Sequence, residues 1–167
     1  EQQDLAKAGW ALRVRVDNNG GLITLKGAPS EHGMAVTRRE IEAELPRRVA
    51  SEICELQRDI LSLDTEPVQQ VKRDFPGVAL TRLVTFHNLR RSKTINVGDV
   101  NYRVELDKTQ FPDGTVDYEL EVELPDAAQG DIIGDYLNKL FHALHIPVSR
   151  QPDSKLARAL QHLPVMP

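Results

Sequence analysis

Cysteine is almost absent from this chain: Cys54 is the only one among 167 residues. A lone thiol excludes a disulfide framework and a multi-cysteine zinc site, and its place on the apolar side of an expected helix reads as buried and inert. A basic surplus is missing as well. The net charge of -4 gives no global attraction to nucleic acid, so no nucleic-acid partner is expected, although a local basic site stays open. Apolar runs long enough to span a membrane do not occur, and no charged, apolar and small-residue signal pattern opens the chain. No membrane partner is therefore expected, and the cytoplasm is the expected compartment. Solenoid-length repeats, low-complexity tracts and a clear linker are lacking too. With 40% hydrophobic and 28% charged residues, the composition fits one soluble domain over residues 1–167 with a sizeable core.

What the chain does have is strict alternation. Residues 117–124, Asp-Tyr-Glu-Leu-Glu-Val-Glu-Leu, place Glu119, Glu121 and Glu123 on one face of a strand and Tyr118, Leu120, Val122 and Leu124 on the other. Three carboxylates in a row repel one another, so cations are expected opposite them. Other segments alternate in the same way. Residues 9–16 carry Arg13 and Arg15 on their polar face, and the Asn18-Asn19-Gly20-Gly21 turn returns the chain through Leu22–Lys26 as a hairpin. Residues 36–45 put Arg38, Glu40, Glu42 and Glu44 on one face. Residues 78–87 read as a strand containing Arg82, followed by the basic run Arg90-Arg91-Ser92-Lys93, which is either a solvated loop or a phosphate contact. Residues 100–107 set Arg103, Glu105 and Asp107 against Val100, Tyr102, Val104 and Leu106.

The period changes from 2 to 3.6 in three places. Val49, Ile53, Leu56 and Ile60 predict an amphipathic helix from Pro46 to about Leu63, with a short helix over 65–75 stopped by Pro76-Gly77. Ile132, Ile133, Tyr136, Leu137, Leu140, Phe141 and Leu144 predict a second long helix ended by Pro147. Residues 154–160 predict a short last helix capped by Ser154 or Asp153. Trp10 reads as packing at a strand start. His142 and His145, three apart on a helix, read as surface residues rather than metal ligands.

Taken together, the polar strand faces are dominated by arginine and glutamate, with little else. If the sheet closes into a barrel with its apolar residues outward beneath the helices, these charges line its lumen. Charges buried in that way must be paired or bound to a ligand. Arginine and lysine match phosphate oxygens, and carboxylates about 7 Å apart on one strand can reach a hard divalent cation such as magnesium. A polyphosphate with its metal is the natural occupant. The fold class expected is therefore α+β, an antiparallel closed or nearly closed barrel with a charged lumen and flanking helices.

In order, Leu12-Arg13-Val14-Arg15, Leu25-Lys26, Arg38 with Glu40 and Glu42, Leu106-Asp107, Glu121-Val122-Glu123 and Ser154-Lys155 resemble the motifs of the CYTH superfamily, the triphosphate tunnel metalloenzymes. The resemblance implies an eight-stranded tunnel and hydrolysis of a triphosphate assisted by magnesium or manganese. It implies phosphate contacts from Arg13, Arg15, Lys26, Arg38, Arg82, Arg90 and Lys155. Glu121 and Glu123 would hold metal, Asp107 and one of Glu40 or Glu42 would place a second metal or the attacking water, and Lys155 would reach a terminal phosphate. Thiamine triphosphatases of this family are expected to carry an aromatic residue where this chain has Ile23, which favours inorganic tripolyphosphate as the small-molecule substrate. The Glu-x-Glu-x-Lys strand that opens the family is not found before Leu12, so the chain is expected to be truncated at its N-terminus. A class IV type adenylyl cyclase and a non-catalytic binder of polyphosphate or nucleotide are the alternatives, as a monomer or a homodimer.

Overall fold

A computed structural model describes residues 4–32 and 35–163. Helix α1 (Asp4–Lys7) precedes strands β1 (Ala11–Val16), β2 (Gly21–Lys26), β3 (Ser30–His32), β4 (Ala35–Thr37) and β5 (Glu40–Leu45). Helices α2 (Arg47–Cys54) and α3 (Glu66–Asp74) follow, then strands β6 (His87–Val97), β7 (Val100–Gln110) and β8 (Val116–Glu123), and finally helices α4 (Gly130–Ala143) and α5 (Lys155–Gln161). The chain is α+β. It divides into two compact units, one containing β1, β2, β5 and α1 to α3, the other β6 to β8 with α4 and α5.

In the first unit β2 lies between β1 and β5, antiparallel to both. The alternation in the sequence sets the faces. Leu12, Leu25 and Ile41 pair across the sheet, as do Val14, Ile23 and Ala43, and this apolar side packs on α2 and α3 through Ala50, Ile53, Val68 and Val71. Gly21 sits where α2 comes closest: a methyl group there would collide with the Ala50 Cβ and lie 3.3 Å from the Leu45 Cβ. Gly21→Ala is expected to destabilise the fold by about 1–3 kcal/mol, because neither the strand nor the helix can give way without loss of packing. A urea midpoint equal to that of the wild type would show instead that α2 can slide.

Several elements differ from the sequence expectation. The amphipathic helix expected to reach Leu63 stops at Cys54. Leu56 adopts a positive φ of 60° and is 64% exposed, and Asp59 then caps a separate short turn by accepting a hydrogen bond from the Leu61 amide. Cys54 is correspondingly half-buried rather than buried. Residues 78–86 form no strand. Val78 and Leu80 lie instead against the core formed by Leu25, Ile41 and Val71, so burial of these two side chains, and not sheet pairing, holds that stretch. The basic run 90–93, expected after a strand, lies inside β6.

The second unit has the meander β6-β7-β8. A closed barrel is not formed by strand pairing among the described residues: the hydrogen-bonded strands make two three-stranded sheets and one two-stranded ribbon, β3-β4. Closure would need every strand to have two neighbours, and the segment at 78–86 that was expected to supply one is irregular.

Candidate functional site

The site is built on one face of β6-β7-β8. Strand register sets Arg90 beside Asp107 and Asp107 beside Glu119, while Ser92, Glu105 and Glu121 form the next row and Thr94, Arg103 and Glu123 the one beyond. Between residues 105 and 107 of β7 the usual relation of polarity to burial is inverted, although Tyr102, on the same face as Leu106, is buried. Asp107 is 0% exposed and Glu105 4%, whereas Leu106 between them is 44% exposed. Around Glu105 and Asp107 the charged face is the covered one, and helix α5 supplies part of the cover.

Buried charges need partners, and here they are shared. Arg90 holds Asp107 in a two-pronged contact, Nε to Oδ1 at 2.8 Å and Nη2 to Oδ2 at 2.7 Å. The same guanidinium donates to Glu105 and, at 2.6 Å, to Glu121. The Ser154 hydroxyl accepts from the Ala157 amide at 3.1 Å and so starts α5. That cap aims Lys155 into the acids, where its Nζ lies 2.9 Å from Asp107, 2.5 Å from Glu119 and 2.6 Å from Glu121. One helical turn later Arg158, itself buried, reaches Asp117 and Glu119, both at 2.7 Å.

One carboxylate oxygen from each of Asp107, Glu119 and Glu121 lies within 4.8 Å of the others. Three hard oxygen donors at that separation suit magnesium or manganese better than a soft metal. The Lys155 ammonium sits among the same three carboxylates, so a positive charge is already favoured at that point. The residues therefore fit a divalent cation. Glu123 stands outside the group, 64% exposed and 3.7 Å from Arg103.

The environment acts on the titrating groups in opposite directions, and the partners win. Burial alone would raise the Asp107 pKa, but hydrogen bonds from Arg90 and Lys155 hold it well below the ordinary 3.8. Burial likewise opposes ionisation of Glu121, and Lys155 with Arg90 brings its pKa below 4.5. For Lys155 burial disfavours the charge, and Glu119, Glu121 and Asp107 raise the pKa above 10.5. A carboxylate with a depressed folded-state pKa stabilises the fold above its unfolded value and loses that contribution as pH falls through the folded one. The melting temperature should thus stay level from about pH 7 to 5 and fall below about pH 4. A raised lysine pKa contributes below 10.5 and fades above it. Thermal melts across pH would show a flat acid limb if the cluster were solvent-relaxed.

In the first unit the polar sheet face carries Arg13, Thr24 and Glu42 in one row and Lys26 and Glu40 in another. Lys26 donates to Glu40 at 2.6 Å and the Thr24 hydroxyl to Glu42 at 2.8 Å. Burial, then the charges of Arg13 and Arg38, pull the Lys26 pKa below 10.5 against the Glu40 hydrogen bond. Arg15 lies 3.5 Å from Asp17. Arg38 is exposed between β4 and β5, and Arg82 is exposed in the irregular segment. Ile23 is fully buried in the core, on the side of the sheet opposite Lys26. Trp10 packs at the rim of that unit's core, under Arg39 at 6.0 Å. His142 and His145 are exposed on and just after α4.

Sequence reasoning missed Arg158, Glu105 and Asp117, and set Glu119 aside. A signal for Arg158 exists, since it follows Lys155 by three residues and therefore shares its helix face. For the acids nothing in the strand pattern separates one position on a face from the next. The position of α5 does so for Asp117 and Glu119, and Arg90 on β6 for Glu105.

The structure defines an α+β protein whose β6-β7-β8 sheet interleaves carboxylates and cations on one face. The chain belongs to the CYTH family: the model of the CYTH domain matches residues 1–158. A solved structure of a candidate adenylyl cyclase from Hippeastrum, described as having a dominant triphosphatase activity, superimposes with a TM-score of 0.78 and 27% identity. The match covers 96% of this chain and 78% of that one. Curated protein sequences gave no match. No helix among the described residues is long and apolar enough to cross a membrane.

Proposed function

We propose that the protein is a divalent-metal-dependent triphosphatase that hydrolyses a phosphoanhydride bond, with inorganic tripolyphosphate as the favoured substrate. The observation that carries this is the meeting of Asp107, Glu119 and Glu121 with Lys155 and Arg90. Family membership and the activity described for the Hippeastrum protein support the reaction class. Asp107, Glu119 and Glu121 would hold magnesium or manganese, with Glu123 beside them as the family resemblance implies. Such an ion neutralises charge on the transferring phosphoryl group and lowers the pKa of water. Lys155 and Arg90 hold phosphate oxygens, positioned by the same carboxylates that now accept from them. Arg13, Arg15, Lys26, Arg38 and Arg82 keep the phosphate contacts, and Glu40 and Glu42 the water-placing role, that the resemblance implies. The tunnel and its single-domain organisation belong to the same proposal. No aromatic residue lies in the register rows of the charged face of β6-β7-β8, which suits a substrate without a ring to stack.

The test is phosphate release from tripolyphosphate, thiamine triphosphate and ATP with magnesium or manganese. Release is expected to be fastest from tripolyphosphate and to vanish with a chelator. Cyclic AMP formed from ATP would establish the cyclase alternative, to which the description of the Hippeastrum protein also points. Saturable binding of tripolyphosphate without turnover would leave a non-catalytic binder.

A further inference from the structure

The face of β6-β7-β8 opposite the charged cluster is apolar and incompletely covered. Leu106 is 44% exposed, Leu89 58% and Tyr118 64%. Between this face and α4 runs a groove of about 300 Å³, walled by Val104, Leu106 and Leu120 from the sheet and Leu137, Leu140 and Phe141 from the helix. Its lining also includes Arg91 and Lys93. Strand register explains their place: the rows run Leu120, Leu106, Arg91 and Val122, Val104, Lys93. These two rows therefore end in a cation on the edge strand β6, and the next, Tyr102 with Ile95, ends in an apolar residue that also lines the groove. Arg90, one residue away and on the other face, is paired with Asp107, Glu105 and Glu121, whereas Arg91 and Lys93 are exposed and make no ion pair or side-chain hydrogen bond with a described residue.

Water in such a groove finds few hydrogen-bond partners, and its walls lack the contacts a filled space would give. Apolar clefts of about 300–1,000 Å³ with a few convergent polar groups are the usual form of a small-molecule site. Two neighbouring cations at one end match an anionic head and do nothing for a neutral one. We propose that this groove binds a single-chain anionic amphiphile, its alkyl chain between α4 and the sheet and its carboxylate or phosphate head on Arg91 and Lys93. This site is separate from the triphosphatase cluster and does not depend on that activity. Cations on an edge strand also discourage pairing with other chains. A purely protective role predicts that they have no influence on ligand binding.

Calorimetric titration of the full chain with decanoate, decyl phosphate and decanol, each below its aggregation threshold, tests this. Decanoate or decyl phosphate should saturate at one per chain, the tighter of the two identifying the head group, and decanol should bind at least about tenfold more weakly. An Arg91→Gln, Lys93→Gln double variant should lose about tenfold in affinity for the anions and leave decanol unchanged. Leu106→Trp, which fills the groove, should abolish all binding, with Leu140→Trp as the second choice should the first not fold by circular dichroism. Absence of saturable binding, or equal anion binding by the double variant, overturns the proposal. So does a wild-type dimer that light scattering shows to dissociate when the tryptophan is introduced, since the groove would then belong to a second copy of the chain.

Discussion

An Arg90→Ala variant should unfold at distinctly lower urea concentration than the wild type, with a loss of about 2–4 kcal/mol. Arg90 is the cation shared by Asp107, Glu105 and Glu121. The first two are almost fully buried, so they cannot recover hydration when the guanidinium is removed. Breaking a buried pair by deleting one partner typically costs about 3–5 kcal/mol. The expectation is set lower because the Arg90 side chain is 37% exposed and Lys155 still reaches Asp107. The sign of the pH dependence follows. Without Arg90 the Asp107 pKa moves back up, so acidification relieves the stranded charge, and the deficit should shrink as pH falls towards 4. Arg90→Lys should not restore full stability, because a single ammonium cannot reproduce the two-pronged contact with Asp107. A variant with the wild-type urea midpoint at pH 7 would mean that the carboxylates relax into solvent.

Glu121→Gln is expected to lower the rate of tripolyphosphate hydrolysis by about 10²–10³ while leaving the fold nearly intact. The amide keeps the shape and one acceptor oxygen but removes the charge that a divalent cation needs. At 42% exposure the Glu121 side chain contributes less to folding than Asp107 does. Glu123→Gln is the informative comparison. The family resemblance pairs the two residues, yet Glu121 lies in the carboxylate group with Asp107 and Glu119, whereas Glu123 faces Arg103 at the far end of the row. A much smaller effect at Glu123 is therefore expected, measured as phosphate release at saturating substrate with the metal concentration varied. Equal losses in the two variants would move the site towards Arg103.

Much of the local structure was legible because it depends on near neighbours. The hairpin at Asn18–Gly21 formed as expected, with Asp17 accepting from the Asn19 and Gly20 amides. The Ser154 cap and the helix after it also formed. Where reading failed, either a local cap competed with the periodicity or contacts distant in sequence decided. Leu56 and Ile60 continue a helical period, but Asp59 offers its carboxylate to the Leu61 amide and starts a separate turn. Residues 78–86 have strand-like composition, yet Val78 and Leu80 are used to cover a core. The basic run at 90–93 looked like a loop because arginine and lysine are poor strand signals. In the structure it splits by alternation, Arg90 onto the acids and Arg91 and Lys93 onto the apolar side.

By itself the sequence determined the two faces of β1, β2, β5, β7 and β8, since a period of two cannot be altered without moving every side chain to the other side. It also carried the motifs by which the CYTH family is recognised. It did not determine which face is covered. On β7 the tertiary structure buries Asp107 and Glu105 and exposes Leu106, the reverse of what hydrophobicity alone dictates. The reason is that Arg90, Lys155 and Arg158 arrive from another strand and a helix to pair with the acids, and a buried charge is tolerable only with such partners. That arrival also selects Glu119 and Glu121 on β8, and not Glu123, as the neighbours of Asp107.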